Sequence, residues 1–411
     1  MSSRRSGQTD QHRSLRVGGN ILLVIGLALI CASVMAGPAE RAKFIHDRLA
    51  GVPPVPSPAA TQAEPLLVQM SSLVAAGNVE AAALLATRTE TFYAVTLKTM
   101  AAPWTNREQT PFVPLDDYLA TFIGVVRDDL DLRRLLWDDI VYVGNATQLP
   151  AYASANNDHY EALENQGLSL RDTLELRSQA ALTGLPAEAS AGILTSRSAA
   201  KAFFIDGTNR AMLRFTLMNH LCRDLEQLED ITGVPDRIRQ DVSRSPGGDS
   251  RLFNNGCVGC HTGMDPLAQA FAYYNFEYTD TPENGRLVYT AGQVQDKYLI
   301  NADNFPHGFR TPDDQWANYW RAGPNRVLGW DASQPGAGQG ASSMGAELAN
   351  SAAFAQCQVE KVFATVCLRK PADASDRSLV SQAVARFADS GYQLRQVFVD
   401  TATYCSAGLA P

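Results

Sequence analysis

At 411 residues, 45% hydrophobic and 19% charged, the chain has a globular balance, length for two or three domains, and ample material to bury a real core. The formal net charge is −8 and the basic residues are scattered, which leaves no footprint for nucleic acid or anionic lipid. An acidic surface serves solubility first; it would also suit a basic redox partner.

Arg4, Arg5, Arg13 and Arg16 precede an apolar run from Ile21 to Ala36. Basic, then apolar, then small at Ala36 is the order of a secretory signal ending in Val34-Met35-Ala36. The run is short of the about 20 apolar residues of a spanning helix, and an uncleaved membrane tether over residues 17–36 is the alternative. Residues 1–36 are thus read as a signal peptide or an N-terminal membrane anchor. The remainder is expected in the periplasm, or held at the inner membrane facing it. Ile30 is too bulky to precede a lipidated cysteine, which sets Cys31 aside.

Residues 37–65 combine a short helix, Ala42–Leu49, with a proline-rich linker (VPPVPSPAATQAEP) expected to be extended. A helical domain is expected over 66–235. Leu66–Ala86, Glu90–Met100 and Pro114–Trp137 carry apolar residues three and four apart. Ser169-Leu170-Arg171-Asp172 has the form of a capped helix start, and Ile140–Val143 reads as a strand. A helix opening at Thr208 presents Leu217, Met218, Leu221, Cys222, Leu225 and Leu228 on one face. Met218 then belongs to the core, and His220, off that face, to the surface. Asp116-Asp117 and Asp138-Asp139 read as solvated faces.

The section 236–411 opens with an expected helix, Ile238–Asn255, interrupted at Pro246-Gly247-Gly248 and placing Phe253 one turn before Cys257. An aromatic stretch, Phe271 to Tyr278, follows. Thr311-Pro312-Asp313-Asp314 has the residues of a helix start, and Gly323–Gly345 reads as a long glycine-rich loop. Helices are expected at Phe354–Cys367, Ser378–Asp389 and Tyr392–Tyr404. The fold class is mainly α: a helical N-terminal region followed by a cytochrome c-like helical domain.

Residues 257–261 read Cys-Val-Gly-Cys-His, the attachment signature of a c-type haem. One turn of chain offers two thiols, Cys257 and Cys260, to the two vinyl groups of a porphyrin. His261 then comes under the iron as proximal ligand. A zinc site would want a second ligand pair, and a redox dithiol a βαβ setting; the sequence offers neither. One covalently attached haem c is the expected cofactor. Pro266 is a candidate to hold a neighbouring carbonyl toward the other ring nitrogen of His261, or is an ordinary loop proline. Met264 is too close to His261 to cross the porphyrin. Met344, between the glycine-rich loop and a helix, is the candidate distal iron ligand, with His307 as the alternative. Trp316, Trp320 and Trp330 pack either on the porphyrin edge or in the core. Gly336–Gly340 has no strand before it and is not read as a phosphate loop.

Of seven cysteines, one lies in the leader and two in the motif. Cys222, Cys357, Cys367 and Cys405 remain, an even set suited to an oxidising compartment. Cys357 and Cys367 share one helix, about 15 Å apart at 1.5 Å per residue, beyond the roughly 7 Å reach of a disulfide. Each would need Cys222 or Cys405 as partner, unless some are buried thiols.

The stretch Gly256-Cys-Val-Gly-Cys-His-Thr-Gly-Met-Asp-Pro-Leu-Ala-Gln-Ala-Phe271 resembles the bacterial planctomycete-type cytochrome c domain proteins, with Cys257, Cys260, His261, Asp265 and Pro266 on the family pattern. Gly192–Thr195 leading to Arg210 and Cys222, and Phe354-x-x-Cys357, echo it over roughly 190–370. The resemblance implies an exported haem protein and supplies no reaction. The resulting expectation is a monohaem c-type cytochrome passing single electrons to a redox protein of the cell envelope. A peroxidase-like enzyme with an open distal site, and a partner-binding scaffold with a sensory or structural haem, are the alternatives.

Overall fold

The computed structural model describes residues 37–54, 65–205, 207–239, 250–299 and 308–409. The leader expected over 1–36, most of the proline-rich linker and His307 lie outside the described residues. Helix dominates, 59% against 8% strand, so the mainly α class holds.

Pro38 and Gly51 frame α1 (Pro38–Ala50): the proline needs no N–H in the first turn, and Gly51 leaves the helix at φ 73°. The one helix expected over Leu66–Ala86 is two, α2 (Pro65–Ala75) and α3 (Val79–Ala86). Gly77 turns at φ 79°, and the Asn78 side chain accepts the Ala81 N–H to restart the helix. Glu90–Met100 contains a π-helical turn, Phe92–Leu97, running into the short α4 (Lys98–Ala101). The helix expected over Pro114–Trp137 is also broken. α5 (Asp117–Arg127) ends before Asp129 at φ 50°, and Leu132–Leu136 form a 3-10 turn.

The expected strand is present as β1 (Val141–Gly144). After α6 (Asp158–Asn165) and α7 (Leu170–Thr173), it pairs antiparallel with β2 (Leu174–Arg177), which the sequence did not reveal. Ser169 caps α7 as expected, accepting the Asp172 N–H at 3.2 Å. α8 (Gln179–Thr183), α9 (Arg197–Phe203) and α10 (Arg210–Thr216) follow, and α10 runs into a second π-helical turn, Leu217–Leu221. Ile238 and Arg239 are extended, with Arg239 bridging Phe309, where a helix was expected. α11 (Ser250–Gly256) and α12 (Val258–Ala268) carry the motif region.

The aromatic stretch forms β3 (Tyr274–Tyr278), paired with β4 (Gly285–Tyr289). Thr311–Asp314 starts no helix. Asp313 accepts the Gln315 N–H instead, at the head of β5 (Gln315–Ala317), which pairs with β6 (Ala337–Gln339). The chain then runs through α13 (Gly340–Ala349), α14 (Ala352–Cys367), α15 (Ala374–Asp389) and α16 (Leu394–Cys405).

α14 packs on both α15 and α16, and α16 packs on α1 and α3, so first and last helices share a core. One apolar cluster takes in residues from Ala42 to Ala402, and residues 36–411 form one unit; the boundary expected at 235/236 does not divide it. The cysteines of α14 reach outward as expected, forming Cys222–Cys357 (Cα–Cα 5.3 Å) and Cys367–Cys405 (5.8 Å).

Three polar expectations are corrected. His220 is 1% exposed, not a surface residue. The π-helical turn winds wider than an α-helix and carries the ring inward, against Trp104 and Phe354 and 2.9 Å from the Tyr118 hydroxyl. Met218 is correspondingly only part-buried. Asp116 and Asp117 are buried caps rather than a solvated face. Asp116 accepts the Leu119 N–H at the start of α5, and Asp117 accepts the Arg197 and Ser198 N–H groups at the start of α9. Asp139 likewise accepts from Ser178 and Ala180 at the start of α8, while Asp138 pairs with Arg134.

Candidate functional site

α12 begins at the motif. The His261 N–H donates to the Cys257 carbonyl at 3.2 Å, and the Cys257 N–H to the Phe253 carbonyl at 2.9 Å, one turn earlier as expected. Cys257 and Cys260 are free and part-exposed, whereas the other four cysteines of the described chain are paired. Cys260 Sγ lies 3.6 Å from the Leu225 carbonyl. Burial, with the charges of Glu229 and Glu226 beside it, pushes its thiol pKa up, so it is held as the protonated thiol. Two sulfurs outside any disulfide and an imidazole therefore sit within one helical turn.

The face of α12 turned away from His261 is set by two glycines four residues apart. At Gly259 a side chain would collide with Glu229, and at Gly263 with the Trp320 indole. The Asp230 N–H donates to the Gly259 carbonyl at 3.0 Å, and the Thr262 hydroxyl to the Asp230 carbonyl at 3.1 Å. The segment after Leu228 is thereby laid directly on the helix. Trp320 and Trp316 are each 2% exposed. Trp316 donates to Ser343 at 2.8 Å and Trp330 to the Trp320 carbonyl at 2.9 Å, so the tryptophans fill the core behind the motif.

On the other side, Asp265 stands one turn beyond His261, where an i+4 side chain lies over its neighbour. Its Oδ2 is 3.1 Å from His261 Nδ1. The carboxylate is fully buried and pairs with Arg210 Nε at 2.8 Å and Arg239 Nη2 at 3.4 Å. Arg239 also donates to the Thr208 hydroxyl at 2.9 Å and lies 4.7 Å over the Tyr298 ring. Burial alone would raise the Asp265 pKa; Arg210, Arg239 and His261 together outweigh it and hold the carboxyl well below its usual range. The His261 side chain is 17% exposed. With Nδ1 occupied, Nε2 is the nitrogen left to bind.

Pro266 does not play the part considered for it. It is buried inside α12, and the Asp265 side chain takes the His261 ring nitrogen. Met264 packs in the main core. Met344 is fully buried there too, on α13, which packs against the 3-10 turns Leu132–Leu136 and Gln269–Phe271. Cys257 belongs to a separate small cluster with Ile238 and Phe253. The structure thus brings Cys257, Cys260 and His261 together and places Met344 in a different cluster. Asp265 and Arg210 were noted only through the family resemblance and given no role, and Arg239 was missed; the His-x-x-x-Asp spacing on a helix was the available signal for Asp265, and none existed for Arg239.

The donor set suits a covalently held porphyrin, which supplies four nitrogens of its own and asks of the chain two thiols and one axial imidazole. Among the described residues no group of three or more His, Cys, Asp and Glu converges as a metal chelate. No family model matches the chain, and no curated protein or solved structure matches it either.

Proposed function

We propose that the chain is an exported monohaem c-type protein that exchanges single electrons with a redox protein of the cell envelope. The observation that carries this reading is the state of the six described cysteines. Four are paired, and the two outside any disulfide lie one turn apart beside an imidazole whose Nδ1 is already held. Cys257 and Cys260 would form the thioethers, and His261 would face the iron through Nε2. Bound there, the haem supplies one-electron exchange at its iron. The chain's own part is to fix the His261 ring, wall off the back of α12 with Trp320, and exclude water with the core. Two disulfides agree with an oxidising compartment, hence with the periplasm or the periplasmic face of the inner membrane. The likeness of residues 256–271 to planctomycete-type cytochrome c domains points the same way.

A second reading, a peroxidase-like enzyme with an open sixth position, is favoured by two specific observations. Met344 is packed in the core of α13, and a carboxylate behind a metal-ligating histidine raises its basicity as a ligand. Spectra of the full-length exported protein separate the readings. Haem retained covalently after denaturation is required by both, and its absence would overturn both. Low-spin ferric iron with a methionine band that vanishes in Met344→Ala supports the carrier. High-spin iron that binds cyanide rapidly supports the enzyme.

A further inference from the structure

The Asp265 carboxylate divides its two oxygens between different duties. Oδ1 faces the guanidiniums, 2.8 Å from Arg210 Nε and 3.4 Å from Arg239 Nη2. Oδ2 faces the imidazole at 3.1 Å, with the Arg239 N–H and Arg210 Nη2 each at 3.4 Å. A buried carboxylate is already compensated by two arginines; the histidine is not needed to satisfy it. The helix nevertheless places His261 where the oxygen with the weaker guanidinium contacts meets its ring.

We propose that Asp265 is a positioning residue that sets the electron donation of His261 to its metal, and that Arg210 and Arg239 oppose it by drawing the carboxylate's charge away. This rests on the haem reading above and deepens it. A carboxylate hydrogen-bonded to Nδ1–H fixes the ring plane and makes Nε2 a stronger donor, which stabilises the oxidised metal. Each guanidinium on Oδ1 weakens that effect. Arg210 comes from α10, in the helical section ahead of the motif, and Arg239 from the extended segment before α11. Elements distant in sequence from residues 257–261 therefore meet at one carboxylate and jointly set the redox behaviour of the site. A purely structural ion pair would also move the potential in opposite directions through the space between its charges and the metal, but it would leave the iron–imidazole stretching frequency unchanged in both variants.

The test uses the full-length haem-loaded protein with Asp265→Asn, which keeps an acceptor and loses the charge, and Arg210→Gln, at a part-exposed position. Redox titration at a fixed reference potential is expected to shift the oxidised-to-reduced ratio at least tenfold, 59 mV for one electron. The shift runs toward reduced protein in Asp265→Asn and toward oxidised protein in Arg210→Gln. The iron–imidazole stretching frequency of the ferrous protein is expected to fall in the first and rise in the second, and Asp265→Glu to recover part of the loss. Should Asp265→Asn fail to fold, the Arg210→Gln shift in potential and frequency decides alone. Haem-loaded variants whose iron–imidazole frequency matches the parent, or that shift in the same direction, overturn the proposal and leave the haem reading standing. A parent without covalent haem overturns that reading instead.

Discussion

Lowering the pH from 7 to 5 probes a histidine that the fold encloses completely. The His220 ring lies between Trp104, Phe354 and the Tyr118 hydroxyl. Burial, reinforced by the Lys361 charge, pushes its pKa from 6.5 down to about 3. The unfolded chain takes up a proton near pH 6.5 that the native state does not accept until about pH 3. The contribution of this group is therefore complete above pH 6.5 and is lost as the pH falls toward 3. At pH 5, about 1.5 pH units below the unfolded value, the loss is about 2 kcal/mol at roughly 1.36 kcal/mol per unit. Urea unfolding of wild type and His220→Gln at both pH values isolates it, because glutamine keeps a hydrogen-bonding group for Tyr118 and does not titrate. The variant is less stable at pH 7 through imperfect packing. The wild-type advantage is expected to shrink by about 2 kcal/mol between pH 7 and pH 5. Asp116 and Lys361 titrate in both proteins and cancel in the comparison. An advantage that does not change with pH would refute the buried neutral imidazole.

Asp116→Asn has the opposite pH signature. Burial, then the neighbouring Asp117 charge, pushes the Asp116 pKa up to about 8, so its contribution is full below about pH 3.8 and lost as pH rises to about 8. Asparagine keeps the cap, and stability curves from pH 4 to pH 8 should lose a fall of up to about 1.4 kcal/mol per unit. Gly263→Ala drives a methyl into the Trp320 indole; overpacking less the helix gain predicts a cost of about 1–2 kcal/mol in urea midpoints, whereas Gly256→Ala, which meets nothing within 4 Å, should cost nothing. Replacing Cys222 and Cys357 by serine opens a closure of 135 residues and is expected to cost about 5 kcal/mol on the chain-entropy relation. The same change at Cys367 and Cys405, separated by 38 residues, should cost about 4, so equal losses by calorimetry would count against loop entropy as the cause.

The features legible in the sequence were those with short-range causes. Cys257, Cys260 and His261 declare themselves by spacing, and the ten-residue helical separation of Cys357 and Cys367 excludes a bridge between those two. Which of Cys222 and Cys405 each one takes was settled only by the fold. What escaped depends on partners distant in the chain. β2 and β4 acquire strand character only by pairing with β1 and β3. The inward His220 depends on a π-helical turn that no residue pattern announces. Asp116 and Asp117 look like surface acids until the starts of α5 and α9 are seen to converge on them. The glycine-rich stretch was read as loop to Gly345, whereas Gly340, at φ 71°, already opens α13, which carries Met344 in the core.

The packing of α16 on α1 and α3 has a consequence for the order of assembly. The opening helices pack on one another and on the closing helix, so their shared core is complete only once α16 has been made. Residues 257–261 emerge well before that closure. Both motif thiols are therefore made before the core that packs α12 against Trp320 is complete.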